Sequence, residues 1–238
     1  MDIKRDSYLQ KLISREKNGM IKVITGVRRC GKSYLLFNIF HRYLLQKGID
    51  EAHIIEIALD DRSNIKLRNP DHMLIYVKEK IKDNKNYYII LDEVQLLHEF
   101  EDVLNSFLHI RNADVYVTGS NSKFLSSDVI TEFRGRGDEI RVYPLNFREF
   151  LSAYEGSKDE AWDDYVMYGG LPFILNRRTP EEKEDYLISL FQAVYLSDII
   201  DRHHVRNKEE LDELINILAS ATGSFGNCHN RNYEFSVR

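Results

Sequence analysis

Gly26-Val27-Arg28-Arg29-Cys30-Gly31-Lys32-Ser33 follows the apolar run Ile21 to Ile24 and fits the pattern G-x-x-x-x-G-K-[ST]. A β-strand ending at Thr25 would deliver the chain into a tight glycine-rich turn whose backbone N–H groups converge on a phosphate. The helix that follows would aim its positive end at the same anion. Gly26 and Gly31 permit positive φ and a close backbone approach. Lys32 is expected to reach the β- and γ-phosphates, and the Ser33 hydroxyl to take one coordination position on Mg²⁺. The whole turn, Gly26, Val27, Arg28, Arg29, Cys30, Gly31, Lys32 and Ser33 with Tyr34 behind it, is therefore the expected nucleotide-binding segment. The alternative is an ordinary strand-turn-helix corner, and the strand and helix patterns on either side weigh against a chance match.

The 238 residues, 43% hydrophobic and 30% charged, suffice for one α/β domain and a smaller helical one. The net charge of −5 argues against a general nucleic-acid footprint. Cys30 and Cys228 form neither a disulfide framework nor a metal-ligand spacing, and Cys30 reads as a tolerated small residue in a reducing compartment. The start Met1-Asp2-Ile3-Lys4-Arg5-Asp6 lacks the apolar core of a signal peptide, and no apolar run approaches the about 20 residues of a membrane span. A cytoplasmic location without membrane contact is the expectation.

Five apolar, β-rich runs stand at Ile21 to Thr25, His53 to Leu59, Tyr87 to Leu91, Val115 to Thr118 and Glu139 to Tyr143. Helical spacings separate the first four: Leu35, Leu36, Ile39, Phe40 and Tyr43; Met73, Leu74, Val77 and Ile81; Phe100, Val103, Leu104, Phe107 and Leu108. Strands alternating with amphipathic helices predict a parallel sheet covered on both faces, in agreement with the near-continuous apolar character of the first and third strands. A helix carrying Tyr8, Leu9, Leu12 and Ile13 should pack beside it. From Leu145 onward the period is helical almost throughout. The expected division is an α/β domain over 1–144, a helical lid over 145–222, and a tail over 223–238, rich in asparagine and without a period, that should be disordered.

The third strand runs Tyr87-Tyr88-Ile89-Ile90-Leu91 into Asp92-Glu93, paired carboxylates at the sheet's carboxyl edge, where open α/β sheets bind ligands. Asp92 is expected to hold Mg²⁺. Glu93 is expected to take a proton from the water that attacks the γ-phosphate. The fourth strand ends Thr118-Gly119-Ser120-Asn121, small hydrogen-bonding side chains beside those carboxylates. GTPase signatures are missing: no Gly lies three residues after Asp92, and no Asn-Lys-x-Asp follows the fourth strand. Asp198, Asp201, His203 and His204 form a weaker cluster, read as a solvated helix end rather than a metal site.

This order of motifs resembles an AAA+ ATPase. More narrowly, the phosphate loop, Leu-Asp-Glu-Val-Gln (91–95), Thr-Gly-Ser-Asn-Ser (118–122), Arg-Gly-Arg (134–136), Pro-Leu-Asn-Phe-Arg-Glu-Phe-Leu (144–151) and Tyr-Gly-Gly-Leu-Pro (168–172) resemble the prokaryotic AAA+ family related to archaeal ATPases and STAND NTPases. The resemblance spans residues 5 to 222. It implies a P-loop NTPase fold with a five-stranded parallel sheet in the order 5-1-4-3-2 and a C-terminal helical lid. It implies a γ-phosphate-sensing role for Ser120 or Asn121, an arginine finger at Arg136, and a Gly-Leu-Pro lid motif whose Pro172 packs near adenine, which favours ATP over GTP. Family members usually continue into a winged-helix segment and a further domain, so the resemblance also implies a chain cut short before that region.

Two functions follow. The leading one is slow, Mg²⁺-dependent ATP hydrolysis that drives a conformational change. The alternative is a STAND-like switch or scaffold gated by ATP and ADP with little turnover. A homo-oligomer is compatible with the chain, as is a protein or DNA partner, and charge points to neither of the latter.

Overall fold

The computed structural model describes residues 3–119, 135–192 and 208–220. The chain divides into two compact units, Met1–Glu184 and Asp185–Arg238. The first is built on five parallel strands: β1 (Ile21–Thr25), β2 (Ile54–Ala58), β3 (Tyr87–Asp92), β4 (Ala113–Thr118) and β5 (Gly137–Arg141). They lie in the order β2-β3-β4-β1-β5, which read from the other edge is the expected 5-1-4-3-2.

Burial follows position in the sheet. β1 and β3 are buried at every residue and β4 at all but its first, whereas of the edge strands β2 alternates and β5 is buried only at Gly137 and Ile140. A strand covered on both faces must be apolar on both, which explains why β1 and β3 stand out in the sequence. β5 begins two residues before the expected run: Gly137 pairs with Ile21 and Arg141 with Thr25. As an edge strand it carries Asp138, Glu139 and Arg141, so its first residues lack an apolar signature.

Helices cover the two faces. On one, α4 (Pro70–Lys80) and α5 (Phe100–Phe107) supply Met73, Val77, Phe100, Val103, Leu104 and Phe107, which pack on Val23, Ile57, Ile89, Leu91 and Val117. On the other lie α1 (Asp6–Ile13) and the helix that leaves the glycine-rich turn. That helix begins as α2 (Lys32–Tyr34), continues with π winding over Leu35–Phe40, and resumes as α3 (His41–Gln46). Tyr8, Leu12, Leu35, Leu36, Phe40 and Leu44 pack there on Ile24, Tyr88, Ile90, Tyr116, Ile140 and Val142. After β5 the unit holds α6 (Phe147–Leu151), α7 (Lys158–Tyr168) and a 3₁₀ turn at Pro172–Asn176. Asn146 and Ser157 close α6 and α7 with capping boxes to Glu149 and Glu160.

α8 (Pro180–Leu190) runs across the division between the units. In the second unit α9 (Lys208–Ser220) carries Leu211, Leu214, Ile215 and Leu218 at helical spacing. The predicted tail, and the Asp198, Asp201, His203 and His204 cluster, lie outside the described residues. No helix among the described residues is long and apolar enough to cross a membrane.

One polar pair is locked inside the sheet. The Lys22 ammonium meets the Asp114 carboxylate and also donates to the Met20 carbonyl at 2.9 Å. Asp114 in turn accepts from the Tyr116 hydroxyl at 2.8 Å and the Lys17 backbone N–H at 3.0 Å. Burial pulls the Lys22 ammonium below the ordinary lysine range, with Asp114 opposing it. Because every partner is engaged, Asp114→Ala should strand a buried cation and cost about 3 kcal/mol or more, read from urea unfolding. Adding Lys22→Met should return much of that loss.

Candidate functional site

The glycine-rich turn leaves β1 at the carboxyl edge of the sheet, and its backbone is one that few residues can adopt. Gly26 has φ 144° and Gly31 φ 96°. A Cβ at Gly26 would lie 2.1 Å from the Val142 carbonyl oxygen, so only glycine fits where the turn passes the exit of β5. Arg29 adopts the left-handed region as well, at φ 63°. Lys32 is buried, and its ammonium donates to the Gly26 carbonyl at 2.9 Å and the Val27 carbonyl at 3.1 Å. The lysine thus bridges its own turn, and a bound phosphate would compete for the same protons.

Behind the turn, β3 brings up its acidic end. The Ser33 hydroxyl donates to Asp92 Oδ1 at 2.9 Å, so the two oxygens expected to face a metal are adjacent. They are hard oxygen donors of the kind Mg²⁺ takes. The Thr118 hydroxyl, at the end of β4, donates to the same Asp92 oxygen and accepts the Glu93 backbone N–H at 3.1 Å. Burial raises the Asp92 carboxyl above its ordinary range, the hydrogen bonds from Thr118 and Ser33 pulling the other way. Glu93 sits in the left-handed region at φ 53°, which swings it out of the strand, and its carboxylate accepts from the Gln95 side-chain amide.

Of these groups Lys32, Ser33, Glu93 and Gln95 line a cleft of about 700 Å³. Its polar lining includes Lys32, Ser33, Asp60, Glu93 and Gln95 and its apolar lining Ile3, Leu145, Pro172 and Phe173; Arg28, Arg29 and Tyr34 also line it. Pro172 is brought in by a tight crossing at Gly170, where a Cβ would lie 2.1 Å from the Leu145 carbonyl oxygen. Pro172 Cγ reaches within 3.8 Å of the Cβ position of Gly31. The Arg29 guanidinium lies 5.9 Å from the Phe173 ring centroid.

Arg5 ties this cleft together. Only 2% exposed, it donates to the Cys30 carbonyl in the turn and to the Tyr143 carbonyl after β5, both at 2.8 Å, and pairs with Glu149 of α6 at 3.3 Å. Sequence reading missed it because a lone arginine before an amphipathic helix looks like a surface charge. It likewise passed over Gln95, which stood inside the quoted Leu-Asp-Glu-Val-Gln stretch, and Asp60, which carries no motif.

Of the residues named from the sequence, Gly31, Lys32, Ser33, Tyr34, Arg28, Arg29, Glu93 and Pro172 converge on the cleft, with Asp92 bonded directly to Ser33. Val27 is exposed beside it, and Cys30 turns its thiol inward, 3.5 Å from the Val142 carbonyl. Ser120 and Asn121 lie outside the described residues. Arg136 is not in the cleft of its own chain. Its carbonyl accepts the Ile21 N–H at the amino edge of the sheet, so a strand of about 17 Å separates it from the turn. No cluster of three metal-ligating side chains occurs among the described residues.

The raised Asp92 carboxyl gives a prediction for the nucleotide-free chain. A carboxyl raised in the fold favours folding in its protonated form, a contribution present below the unfolded pKa and lost as pH rises through the folded value. Asp92→Asn keeps the acceptor for Thr118 and Ser33 without the charge. It should therefore raise thermal stability at pH 7, and the gain should shrink as pH falls toward 4, read from unfolding midpoints.

An AAA domain family model matches residues 18–151, more than half of the chain and the stretch that runs from just before β1 to the end of α6. A second model, a domain of unknown function (DUF8612), matches residues 159–234. An uncharacterized protein of Haemophilus influenzae is 33% identical over 231 residues, covering 94% of this chain and 57% of that protein. The uncharacterized protein MJ1544 of Methanocaldococcus jannaschii is 29% identical over 214 residues, covering 83% of this chain and 46% of its own. The chain thus spans about half the length of the curated relatives it matches. Among solved structures, the Walker-type ATPase PABY2304 of Pyrococcus abyssi superposes with a TM-score of 0.55 at 16% identity, over 92% of this chain and 77% of that one, and so shares its fold. Strand order, glycine-rich turn and sequence match agree, and the chain belongs to the AAA+ family of P-loop ATPases.

Proposed function

We propose that this chain binds ATP with Mg²⁺ and hydrolyses it slowly, passing the change to its helices. The observation that carries this reading is the meeting of Lys32, Ser33 and Glu93 in one cleft, with Asp92 hydrogen-bonded to Ser33 at 2.9 Å. Lys32 exchanges its bonds to the Gly26 and Val27 carbonyls for the β- and γ-phosphates. The turn's N–H groups, from Gly26 to Ser33, wrap the phosphate chain, and Arg28 and Arg29 add positive charge at its mouth. Ser33 and Asp92 would hold Mg²⁺, which when bound neutralises phosphate charge. Glu93 orients the attacking water and accepts its proton. Ser120, or its neighbour Asn121, is the proposed contact to the γ-phosphate. Pro172 and the apolar side chains that line the cleft take the base, and the lid function falls to residues 145–222, working against the 1–144 domain. A cytoplasmic location fits this activity.

A switch with little turnover is the second reading. Its support is that both working groups are already engaged in the nucleotide-free chain, Lys32 by carbonyls of its own turn and Glu93 by Gln95. What the output acts on, whether protein or DNA, belongs to the longer relatives as much as to this chain.

Lys32→Ala should weaken ATP binding at least about tenfold, equivalent to ~1.4 kcal/mol, by calorimetry. Glu93→Gln should bind ATP as the wild type does while phosphate release falls about 10²-fold or more. Unchanged ATP affinity in a folded Lys32→Ala protein would sink the nucleotide site. A Glu93→Gln protein that binds ATP normally, set beside a wild type without measurable release, would favour the switch.

Arg136 is the proposed trans-acting group of a homo-oligomer, since it faces away from its own cleft. Specific activity should then rise with protein concentration. Arg136→Ala should bind ATP normally yet hydrolyse it poorly, by about 10³-fold if it acts as a finger. Mixing Arg136→Ala with Lys32→Ala should restore activity at hybrid interfaces, and turnover that ignores concentration and mixing would leave a monomeric enzyme.

A further inference from the structure

Gln95 lines the cleft, and the two ends of its amide are unequal. A carboxylate only accepts, so the group that meets Glu93 is the Gln95 NH₂, which fixes the amide's orientation. The carbonyl Oε1 is the amide's remaining end. It is buried, and it has no hydrogen-bond partner among the described residues. A buried carbonyl oxygen without a donor is a cost that a bound water or ligand O–H would remove. The 3₁₀ turn Val94–Leu96 and the left-handed Glu93 backbone hold the two side chains beside each other on the cleft wall.

We propose that Gln95 is a second water-positioning residue, acting with Glu93 on the nucleophile; this rests on the reading of the cleft as an ATP hydrolysis site. Glu93 accepts the proton that leaves the water, and Gln95 Oε1 accepts a hydrogen bond from the other O–H. The water oxygen bonds to the γ-phosphorus as the bond from that phosphorus to the β,γ-bridging oxygen breaks, and the electron pair departs with ADP. A neutral carbonyl suits the second position. It fixes the direction of the water without competing for the proton, whereas a second carboxylate beside Glu93 would share it. The Gln95 NH₂ meanwhile holds the Glu93 carboxylate in its working orientation and takes up only one of its lone pairs.

The test compares wild type with Gln95→Met, which keeps the length and loses both hydrogen bonds. Three quantities are measured: affinity for a non-hydrolysable ATP analogue with Mg²⁺, affinity for ADP with aluminium fluoride and Mg²⁺, and phosphate release. The fluoride complex mimics the planar phosphoryl group with its in-line water, so it reports water placement by binding alone. Gln95→Met should bind the ATP analogue like wild type, bind the fluoride complex about tenfold more weakly, and release phosphate about tenfold more slowly or worse. Gln95→Glu should move the acid limb of the pH–rate profile to higher pH, which a merely structural role would not do. Gln95→Asn retains the amide but loses its reach, and should repeat the methionine result if that protein does not fold. Wild-type affinity of Gln95→Met for the fluoride complex, or faster phosphate release, would overturn the proposal alone. A wild type that binds the ATP analogue but neither binds the fluoride complex nor releases phosphate would overturn the hydrolysis reading, and this proposal with it.

Discussion

The position of the phosphate turn depends on one buried guanidinium. Arg5 comes from the segment before α1, yet it bonds the turn at Cys30, the chain after β5 at Tyr143, and α6 at Glu149. Two parts of the chain far apart in sequence, the turn at Cys30 and the segment from Tyr143 to Glu149, meet on one rigid guanidinium fork, the geometry for which arginine is suited and lysine is not. Glu149 carries a double load, because its carboxylate also caps α6 by accepting the Asn146 backbone N–H at 3.0 Å. A shift of the turn is therefore felt at the first helix after the sheet, and a shift of that helix at the turn. Cys30 shows the consequence in miniature: its carbonyl is held by Arg5 while its thiol packs inward, so this residue of the phosphate turn serves packing.

The site itself is assembled under electrostatic tension. Asp92 is buried enough that its charged form is disfavoured, and Lys32 satisfies its charge on carbonyls of its own turn. Glu93 holds a backbone conformation that a non-glycine residue adopts at a cost. The buried carboxyl of Asp92 and the left-handed backbone of Glu93 are each unfavourable for the chain, and under the proposed function a divalent cation beside Ser33 would offset the first.

Much of this was legible from the sequence, for physical reasons that differ by residue. The turn and the ends of β1 and β3 were readable because glycine, lysine and carboxylate at that spacing have few other uses, and because central strands must be apolar on both faces. β5 was misplaced by two residues because an edge strand owes nothing to a second buried face. Arg5 and Glu149 were unreadable as partners, since a pair 144 positions apart leaves no local pattern. Thr118 was seen only as part of a polar strand end. Its bridge between Asp92 and the Glu93 backbone follows from the register of β3 beside β4, which puts Leu91 opposite Val117. The π winding over Leu35–Phe40 also escaped, because Leu35, Leu36, Ile39, Phe40 and Tyr43 suit a helix of either pitch.

That winding bears on how the chain can change over generations. In the π stretch the His41 N–H reaches back five residues to the Leu36 carbonyl, so one more residue is accommodated than an α-helix would hold. Loss of a residue elsewhere in this helix would rotate Phe40 and Leu44 off the sheet. Loss of one within Leu35–Phe40 could be absorbed by tightening to the α pitch, leaving Lys32 and Ser33 where they are. The first helix after the phosphate turn thus carries its own tolerance to deletion, placed between the part that must stay and the part that can drift.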